Sequence, residues 1–197
     1  MENSGKSLDQ VHSIFNNKAL RKLWMKIRYI VAVAALCLVA PLIDPDWFWI
    51  GFAVSLFGEI SQLWCWSCLR TSKVLAYRGP YTMVRNPMYL SRYFIILGIF
   101  LLVGVPGVWA AIPYTVIYGF YMVNRVEREE KKLIDLFGKD YEDYYNSVPR
   151  FIPSFKGFDL QAVLFWNWET FHENHGAMNM IGLLVVYAIF YLFTFII

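Results

Sequence analysis

Charged side chains are scarce in this 197-residue chain, at 17% against roughly 25% in an average soluble domain. Cysteine and histidine are also few, with three of each, and three cysteines cannot build a disulfide framework. No cleavable apolar signal segment is expected in the polar, basic residues 1–26. With 58% hydrophobic and 19% aromatic residues, the composition excludes a disordered chain, an ordinary secreted domain and a soluble nucleic-acid binder. It indicates a protein of the lipid bilayer.

Apolar runs of near-spanning length recur along the chain. They predict an all-α, polytopic membrane helical bundle with about five transmembrane helices. The expected spans cover residues 27–43, 47–66, 93–103, 108–123 and 181–197. The third and fourth spans are short and are joined by residues 104–107, which predicts a tight, tilted helix hairpin.

Basic residues are distributed on one side of these spans. All 18 lie in the segments 1–28, 70–92 and 124–156, and the two connecting turns opposite contain none. The positive-inside rule therefore predicts that the N-terminus and both long loops face the cytoplasm. Because a short hairpin brings its two cytoplasmic ends together, the loops that flank it should share one site at the membrane surface.

The first of these loops contains several turn and helix-start signals. Gly79-Pro80 predicts a turn, and Pro87 predicts a helix that begins near Met88. Three arginines lie in or beside the loop, namely Arg78, Arg85 and Arg92. Helix N-termini near guanidinium groups favour anions, so the loop either holds an anionic ligand or contacts anionic lipid heads.

The second loop carries charges followed by aromatic residues. Its start is expected to continue the fourth span as a helix, with Arg125 and Glu129 as i,i+4 neighbours. Such a charge run fits either a functional site or a solvated helix with surface ion pairs. The aromatic residues that follow are Phe137, Tyr141, Tyr144, Tyr145 and Phe151. They could line a pocket for an adenine ring or pack the loop at the interface.

Taken together, the two loops form a specific pattern. Residues 79–89 read Gly-Pro-Tyr-x-x-Val-Arg-Asn-Pro-x-Tyr, and a short apolar hairpin follows. Residues 125–144 read Arg-x-x-x-Glu-Glu-x-x-Leu-x-x-x-Phe-Gly-x-x-Tyr-x-x-Tyr, and residues 148–153 read Val-Pro-Arg-Phe-Ile-Pro. Over residues 48–154 the chain resembles the integral-membrane methyltransferases that include isoprenylcysteine carboxyl methyltransferases and phospholipid N-methyltransferases.

The resemblance implies S-adenosylmethionine as methyl donor, held by the two cytoplasmic loops, and a lipid or prenylated acceptor that enters from the bilayer. The cofactor positions it implies are Tyr81, Arg85, Asn86, Pro87, Tyr89, Glu129, Glu130 and Tyr141. It also implies catalytic roles for Glu129 and Arg125 and a substrate contact for Arg150.

Asn86 departs from the family, which usually has histidine at this position. Asparagine can donate and accept hydrogen bonds, but it cannot take up a proton near neutral pH. Cofactor positioning by Asn86 is therefore compatible with the sequence, whereas its use as a general base is not. A relative that has lost or changed its activity stays open as an alternative.

Other candidate sites were weighed against packing roles. Glu59, inside the second span, is either a substrate contact or a carboxylate that faces the bundle or pairs with a residue of the 70–92 loop. Cys65 and Cys68 are expected to pack rather than to perform redox chemistry. His172 and His175 lie three residues apart, which does not match the zinc-protease spacing, so no metal site is expected.

The whole chain, 1–197, is expected to form one membrane domain: a cytoplasmic N-terminal segment 1–26, a methyltransferase-like core 48–154 and a C-terminal part 155–197 of open role. Two rival functions remain, a membrane reductase of the sterol or steroid type that uses NADPH and a catalytically silent protein that binds lipid or a partner. The sequence leaves open the acceptor, the cellular membrane and the oligomeric state.

Overall fold

A computed structural model describes residues 12–70, 74–155 and 159–197, and within these ranges it contains helices and no strand. The helices are α1 Lys18–Val39, α2 Pro45–Cys68, α3 Pro87–Leu101, α4 Val105–Phe137, α5 Lys139–Ser147, α6 Leu160–Val163, α7 Trp168–Glu173 and α8 Gly176–Phe195. Short 3-10 helices cover Ala40–Leu42 and Gly79–Thr82, and residues 12–16 are also helical. The expected all-α class is confirmed.

Within the part of the chain that the structure describes, three stretches of helix are long and apolar enough to cross a membrane, namely Lys18–Leu42, Pro45–Cys68 and Gly176–Phe195. They contain most of the first, second and fifth expected spans. The third expected span lies in α3, a shorter apolar helix, and the fourth lies in the first half of α4. The membrane bundle is thus supported, while the count of five spans stays a prediction.

The first helix begins earlier than hydropathy indicated, at Lys18 rather than near residue 27. Its N-cap is Asn17, whose side chain accepts hydrogen bonds from the backbone N–H groups of Ala19 and Leu20. Such a cap satisfies N–H groups that have no partner within the helix. Four basic residues before the apolar run therefore belong to the same helix, namely Lys18, Arg21, Lys22 and Lys26.

The predicted hairpin is formed by α3 and α4. Gly104, with φ of 70°, makes the reversal in the left-handed region that glycine adopts without strain. Helix α4 starts at Val105, so residues 105–107 are already helical. The helix then runs for 33 residues, through the charged sequence after the apolar part, and ends before Gly138. The expected continuation of the fourth span as a helix is confirmed.

Helices α2 and α3 approach each other closely through small residues. A Cβ atom built on Gly51 would lie 2.6 Å from the carbonyl oxygen of Gly98, and one on Gly58 would lie 2.6 Å from the backbone nitrogen of Ile95. The hydroxyl of Ser55 donates to the carbonyl oxygen of Ile95 at 2.7 Å. Close approach of backbones through small residues is typical of membrane helices.

The C-terminal part packs against α2. In helix α8, the Tyr187 hydroxyl donates to Ser55 Oγ at 2.6 Å, and Tyr187 and Phe190 join Phe48 and Leu102 in one buried cluster. Before α8, the Asn174 side-chain amide donates to the carbonyl oxygens of Trp66 and Leu69, at 2.9 and 2.8 Å. Residues 159–197 therefore support the helix that carries much of the bundle core.

The α2–α3 contact generates a stability prediction. We expect Gly51→Ala to lower the free energy of unfolding by about 1–3 kcal/mol, because the new methyl group has no space against Gly98. Gly182→Ala is the matched control, since no atom lies within 4 Å of its added Cβ, and it should be neutral or stabilising by up to about 1 kcal/mol. Thermal unfolding in one detergent measures both variants, and equal midpoints would contradict the packing account.

Candidate active site

The two polar loops that flank the hairpin meet in the structure. The backbone N–H of Arg85 donates to the carbonyl oxygen of Pro149 at 2.9 Å, and that of Ser154 donates to the carbonyl oxygen of Met83 at 2.9 Å. The segment after α5 is thereby paired with the segment before α3. These two backbone bonds fix the position of the side chains at the start of α3 relative to those near residue 150.

Glu130 lies at the centre of the contact between the loops. It is only 3% exposed, and its Oε2 accepts a hydrogen bond from Arg150 Nη2 at 2.5 Å. Its Oε1 accepts from the Asn86 side-chain amide at 3.3 Å and lies 3.5 Å from Arg85 Nε. A buried carboxylate is costly unless it is paired and hydrogen-bonded, and residues from the two opposite segments provide these partners here.

The two arginines differ in their surroundings. Arg85 is buried; it donates to the carbonyl oxygen of Tyr145 at 2.7 Å, and its guanidinium group lies 3.8 Å from the centre of the Tyr145 ring. Its Nε makes no hydrogen bond. Arg150 is partly exposed; burial lowers its pKa, but the hydrogen bond and ion pair with Glu130 outweigh this and raise it overall.

A second cluster is built around Glu129, the residue of α4 that precedes Glu130. Its Oε2 accepts a hydrogen bond from the Tyr89 hydroxyl at 2.6 Å, and its Oε1 lies 2.8 Å from Arg125 Nη2. Arg125 Nε also donates to the Tyr89 hydroxyl at 3.3 Å. The side chain of Glu129 is 36% exposed and that of Arg125 is 45% exposed, so this cluster is open to a ligand while the Glu130 cluster is closed.

The aromatic residues of the second loop mainly pack the site. The Tyr144 hydroxyl donates to the carbonyl oxygen of Tyr81 at 2.8 Å. Tyr141 is 2% exposed, and burial, with the charge of Glu130 as a further cause, raises its pKa to about 12. The Tyr81 hydroxyl is buried without a hydrogen-bond partner. Buried hydroxyl groups almost always have a hydrogen-bond partner in folded proteins. The Tyr81 hydroxyl is an exception, so it has a donor available for a ligand.

A cavity of about 510 Å³ lies beside Tyr144. Its walls are aromatic, aliphatic and acidic, formed by Val74, Leu75, Tyr77, Phe137, Asp140, Asp143 and Tyr144. Two of the aromatic residues considered for an adenine pocket, Phe137 and Tyr144, thus line a cavity, whereas Tyr141 is buried. Pro87, a further expected cofactor position, is buried in the first turn of α3.

The structure shows no direct contact between Glu59 and the Glu129 and Glu130 clusters. Glu59 is 5% exposed within α2, and its Oε1 has no hydrogen-bond partner. One turn further along, the Gln62 amide donates to the carbonyl oxygen of Met88 at 3.1 Å when its oxygen faces Trp66 Nε1. The polar face of α2 therefore reaches the start of α3, and a substrate contact by Glu59 stays a prediction.

Of the remaining candidates, Cys65 packs in the interior, whereas His172 and His175 are exposed. Cys65 is fully buried, with Ser91 Oγ 3.9 Å from its sulfur. His172 lies at the end of α7, and His175 has φ of 55° at the start of α8. Among residues 12–70, 74–155 and 159–197, no group of three or more His, Cys, Asp or Glu side chains could hold a metal ion.

Two contacts in the site region were not foreseen from the sequence. Tyr145 is the residue that stacks on Arg85 and accepts from it, although the motif pattern stops at Tyr144. Asn124, 2% exposed, accepts a hydrogen bond from Asn16, which lies 108 residues away. The aromatic run pointed to the neighbourhood of Tyr145, whereas no local signal indicates the contact with Asn16.

The contacts of Glu130 predict that its substitution costs much more stability than substitution of the nearby Glu127. We expect Glu130→Gln to cost about 3–5 kcal/mol of stability, because Arg85 and Arg150 lose the charge that compensates them. Glu127→Gln is the control: its exposed i,i+4 pair with Lys131 should contribute about 0.5 kcal/mol or less. Thermal unfolding midpoints in detergent separate the two, and a Glu130 variant as stable as the Glu127 variant would show that the cluster does not hold the loops.

Comparisons with known proteins agree with this arrangement. The family model described as phospholipid methyltransferase matches residues 48–140, just under half of the chain. Protein-S-isoprenylcysteine O-methyltransferase of Xenopus laevis is 30% identical over 90 residues, which cover 46% of this chain and 31% of that protein. The chain thus spans about a third of the length of that curated relative.

Nickel-cobalt-cadmium resistance protein NccN of Alcaligenes xylosoxydans xylosoxydans is 26% identical over 159 residues, which cover 75% of this chain and 72% of that protein. No solved structure matches the chain significantly. The matched region contains most of α2, the α3–α4 hairpin and both acidic residues of the site, Glu129 and Glu130. Over residues 48–140 the chain is therefore similar to the phospholipid methyltransferase family, and the match to an isoprenylcysteine methyltransferase supports the same resemblance.

Proposed function

We propose that this protein transfers a methyl group from S-adenosylmethionine to a lipophilic acceptor at the cytoplasmic surface of a membrane. The observation that carries the proposal is the pair of adjacent carboxylates on α4, Glu129 and Glu130, each held by residues at the start of α3. One carboxylate is buried and structural, and its neighbour is accessible. The family match and the two-loop construction of the site support the same reading.

The chemistry of the side chains fits this donor. S-adenosylmethionine, when bound, supplies an electrophilic methyl group on a sulfonium centre, and it carries a carboxylate, an amino group and ribose hydroxyls. The Tyr81 hydroxyl is a buried donor without a hydrogen-bond partner, suited to a ligand carboxylate or hydroxyl. The oxygens of Glu129 are suited to an amino group or a hydroxyl.

Asn86 acts in this proposal as a positioning residue. Its side-chain amide donates to Glu130 Oε1 at 3.3 Å and lies 3.4 Å from the carbonyl oxygen of Arg150. An amide in this place keeps the Glu130 cluster joined without a change of charge near neutral pH. The loss of the family histidine therefore need not end activity, provided that the proton is handled elsewhere.

Glu129 is the residue that would handle a proton. Methyl transfer is an in-line displacement that depends mainly on alignment, so a carboxylate acceptor needs no base. A protonated amine acceptor must lose a proton before it attacks. Glu129 is the partly exposed carboxylate of the site, and Arg125 and Tyr89 hold both of its oxygens in place. General base catalysis by such a group contributes typically about 10²–10⁴-fold.

The acceptor class follows from the surroundings of the site. The site lies at the start of α3 and just beyond the apolar half of α4. An acceptor held partly in the bilayer would therefore reach it. The descriptions of the matching family and relative name a phospholipid and an isoprenylcysteine, and both molecules are lipophilic. An amine is the nucleophile in an aminophospholipid, and a carboxylate is the nucleophile in an isoprenylcysteine.

This difference allows one experiment to test function and acceptor together. We expect purified protein in lipid nanodiscs to transfer labelled methyl groups from S-adenosylmethionine to phosphatidylethanolamine or to N-acetyl-S-farnesylcysteine. Glu129→Gln should reduce kcat about 100-fold or more with the amine acceptor and much less with the carboxylate acceptor. Glu127→Gln, which lies outside the site contacts, should match the wild type with either acceptor.

Failure of the wild type to label either acceptor, in a preparation with a normal unfolding midpoint, would contradict the proposed reaction for these acceptor classes. Equal losses with both acceptors would show that Glu129 positions the ligands rather than taking a proton.

A further inference from the structure

The N-terminal segment meets the site helix α4 through a small group of polar contacts. Asn16, just before α1, donates a side-chain hydrogen bond to Asn124 Oδ1 at 2.9 Å, and the His12 ring lies edge-on to Phe120 with centroids 5.5 Å apart. Farther along, residues 28–35 of α1 are all exposed. The cytoplasmic end of α1 is therefore held against α4, whereas its middle is free of protein contacts that would bury it.

This contact brings arginines of two helices together. Arg128 Nη1 donates to Asn16 Oδ1, and Arg21 follows within the first turn of α1, where its backbone N–H donates to the carbonyl oxygen of Asn17. Burial lowers the pKa of Arg128, and the neighbouring positive charges of Arg21 and Arg125 lower it further. Like charges at close range are unfavourable unless an anion lies between them.

The described residues do not supply that anion. Arg21 Nε is buried and makes no hydrogen bond. Glu129 is the carboxylate whose charge reaches Arg128, but the salt bridge that it forms is with Arg125. The partly buried guanidinium groups of Arg21 and Arg128 thus lie near each other and have N–H donors available for a ligand. Guanidinium groups bind phosphate oxygens through paired N–H donors, better than lysine does.

The position of the pair indicates which anion it meets. Arg21 lies at the basic beginning of a helix long and apolar enough to cross the membrane, with Lys18, Lys22 and Lys26 beside it. Arg128 lies just beyond the apolar half of α4. Both groups are therefore at the level of the lipid head groups, where phosphate is the abundant anion.

We propose that Arg21 and Arg128 together bind the phosphate group of a membrane phospholipid, next to the Arg125–Glu129 cluster. The Asn16–Asn124 contact closes this site by holding α1 against α4. The inference does not depend on methyl transfer, because it concerns a phosphate between two helices whatever reaction occurs beside it. It also gives the N-terminal helix, which lies outside the family match, a role in binding lipid.

Native mass spectrometry of the full chain, released from a neutral detergent, tests the site. The probes are dioleoyl phosphatidylglycerol, dioleoylglycerol, which lacks the phosphate, and inorganic phosphate. We expect the wild type to retain phosphatidylglycerol and not dioleoylglycerol. Arg21→Gln and Arg128→Gln should each weaken retention about tenfold, which is the usual scale for loss of a charged hydrogen bond.

Matched controls remove the same charge from the same helices. Lys22→Gln and Lys132→Gln should retain phosphatidylglycerol like the wild type, and Arg21→Lys should fall between the wild type and Arg21→Gln. Thermal unfolding midpoints of all variants show that they are folded, and S-adenosylhomocysteine binding by Arg21→Gln should equal that of the wild type. That last measurement separates failure of the lipid site from failure of the proposed function.

If Lys22→Gln and Arg21→Gln lost phosphatidylglycerol retention equally, the proposed site would be wrong. Retention would then depend only on the overall positive charge of the surface. Retention of dioleoylglycerol as strong as that of phosphatidylglycerol would also overturn it. Stabilisation by inorganic phosphate that depends on Arg21 and Arg128, without retention of phosphatidylglycerol, would overturn the lipid assignment in favour of a soluble phosphate.

Discussion

The buried carboxylate of Glu130 is the constraint on which the polar, loop-bearing side of this protein depends. Glu130 is only 3% exposed, so its negative charge needs partners within the protein. These partners are Arg85 and Asn86 at the start of α3 and Arg150 in the segment after α5. Two of these groups also make a second contact, since Arg85 donates to the Tyr145 carbonyl oxygen and Asn86 lies beside the carbonyl oxygen of Arg150. The loops therefore cannot separate without exposing an uncompensated ion.

This arrangement leaves the neighbouring residue free for chemistry. Glu129 lies on the adjacent position of the same helix, outside the buried cluster, and its contacts with Tyr89 and Arg125 are partly exposed to solvent. The rigidity that Glu130 provides fixes the direction in which Glu129 points. The apolar helices contribute in a similar way, because the close α2–α3 contact fixes the position at which α3 begins beside the loops. In our proposal, a lipophilic acceptor and a soluble donor meet at this boundary.

Much of this arrangement could be predicted from the sequence, for identifiable reasons. Proline and glycine mark the turn at Gly79 and the reversal at Gly104, because proline restricts the backbone and glycine permits a positive φ. The hairpin then requires that Arg85 and Asn86 approach Glu130, and the structure brings them together. Their roles toward a cofactor stay predictions, as does the substrate contact of Glu59.

Contacts that no turn, hairpin or charge pattern marks could not be predicted. The hydrogen bond between Asn16 and Asn124 joins two asparagines without any local pattern, and the helix start at Lys18 depends on the cap by Asn17, which hydropathy does not register. Tyr145 was part of an aromatic run, but only the packed structure shows that it stacks on Arg85. A side chain that acts through packing leaves no recognisable pattern in the sequence. A turn residue or a charged pair can be recognised from its residue type and spacing.

The central claim is that the two loops form a site for S-adenosylmethionine. The most direct measurement is a calorimetric titration of the detergent-purified protein with S-adenosylhomocysteine, beside the variants Arg85→Ala and Glu129→Ala. The account predicts micromolar binding by the wild type and its loss in both variants. A folded wild type that gives no binding heat, and whose unfolding midpoint does not shift with the ligand, would contradict the claim.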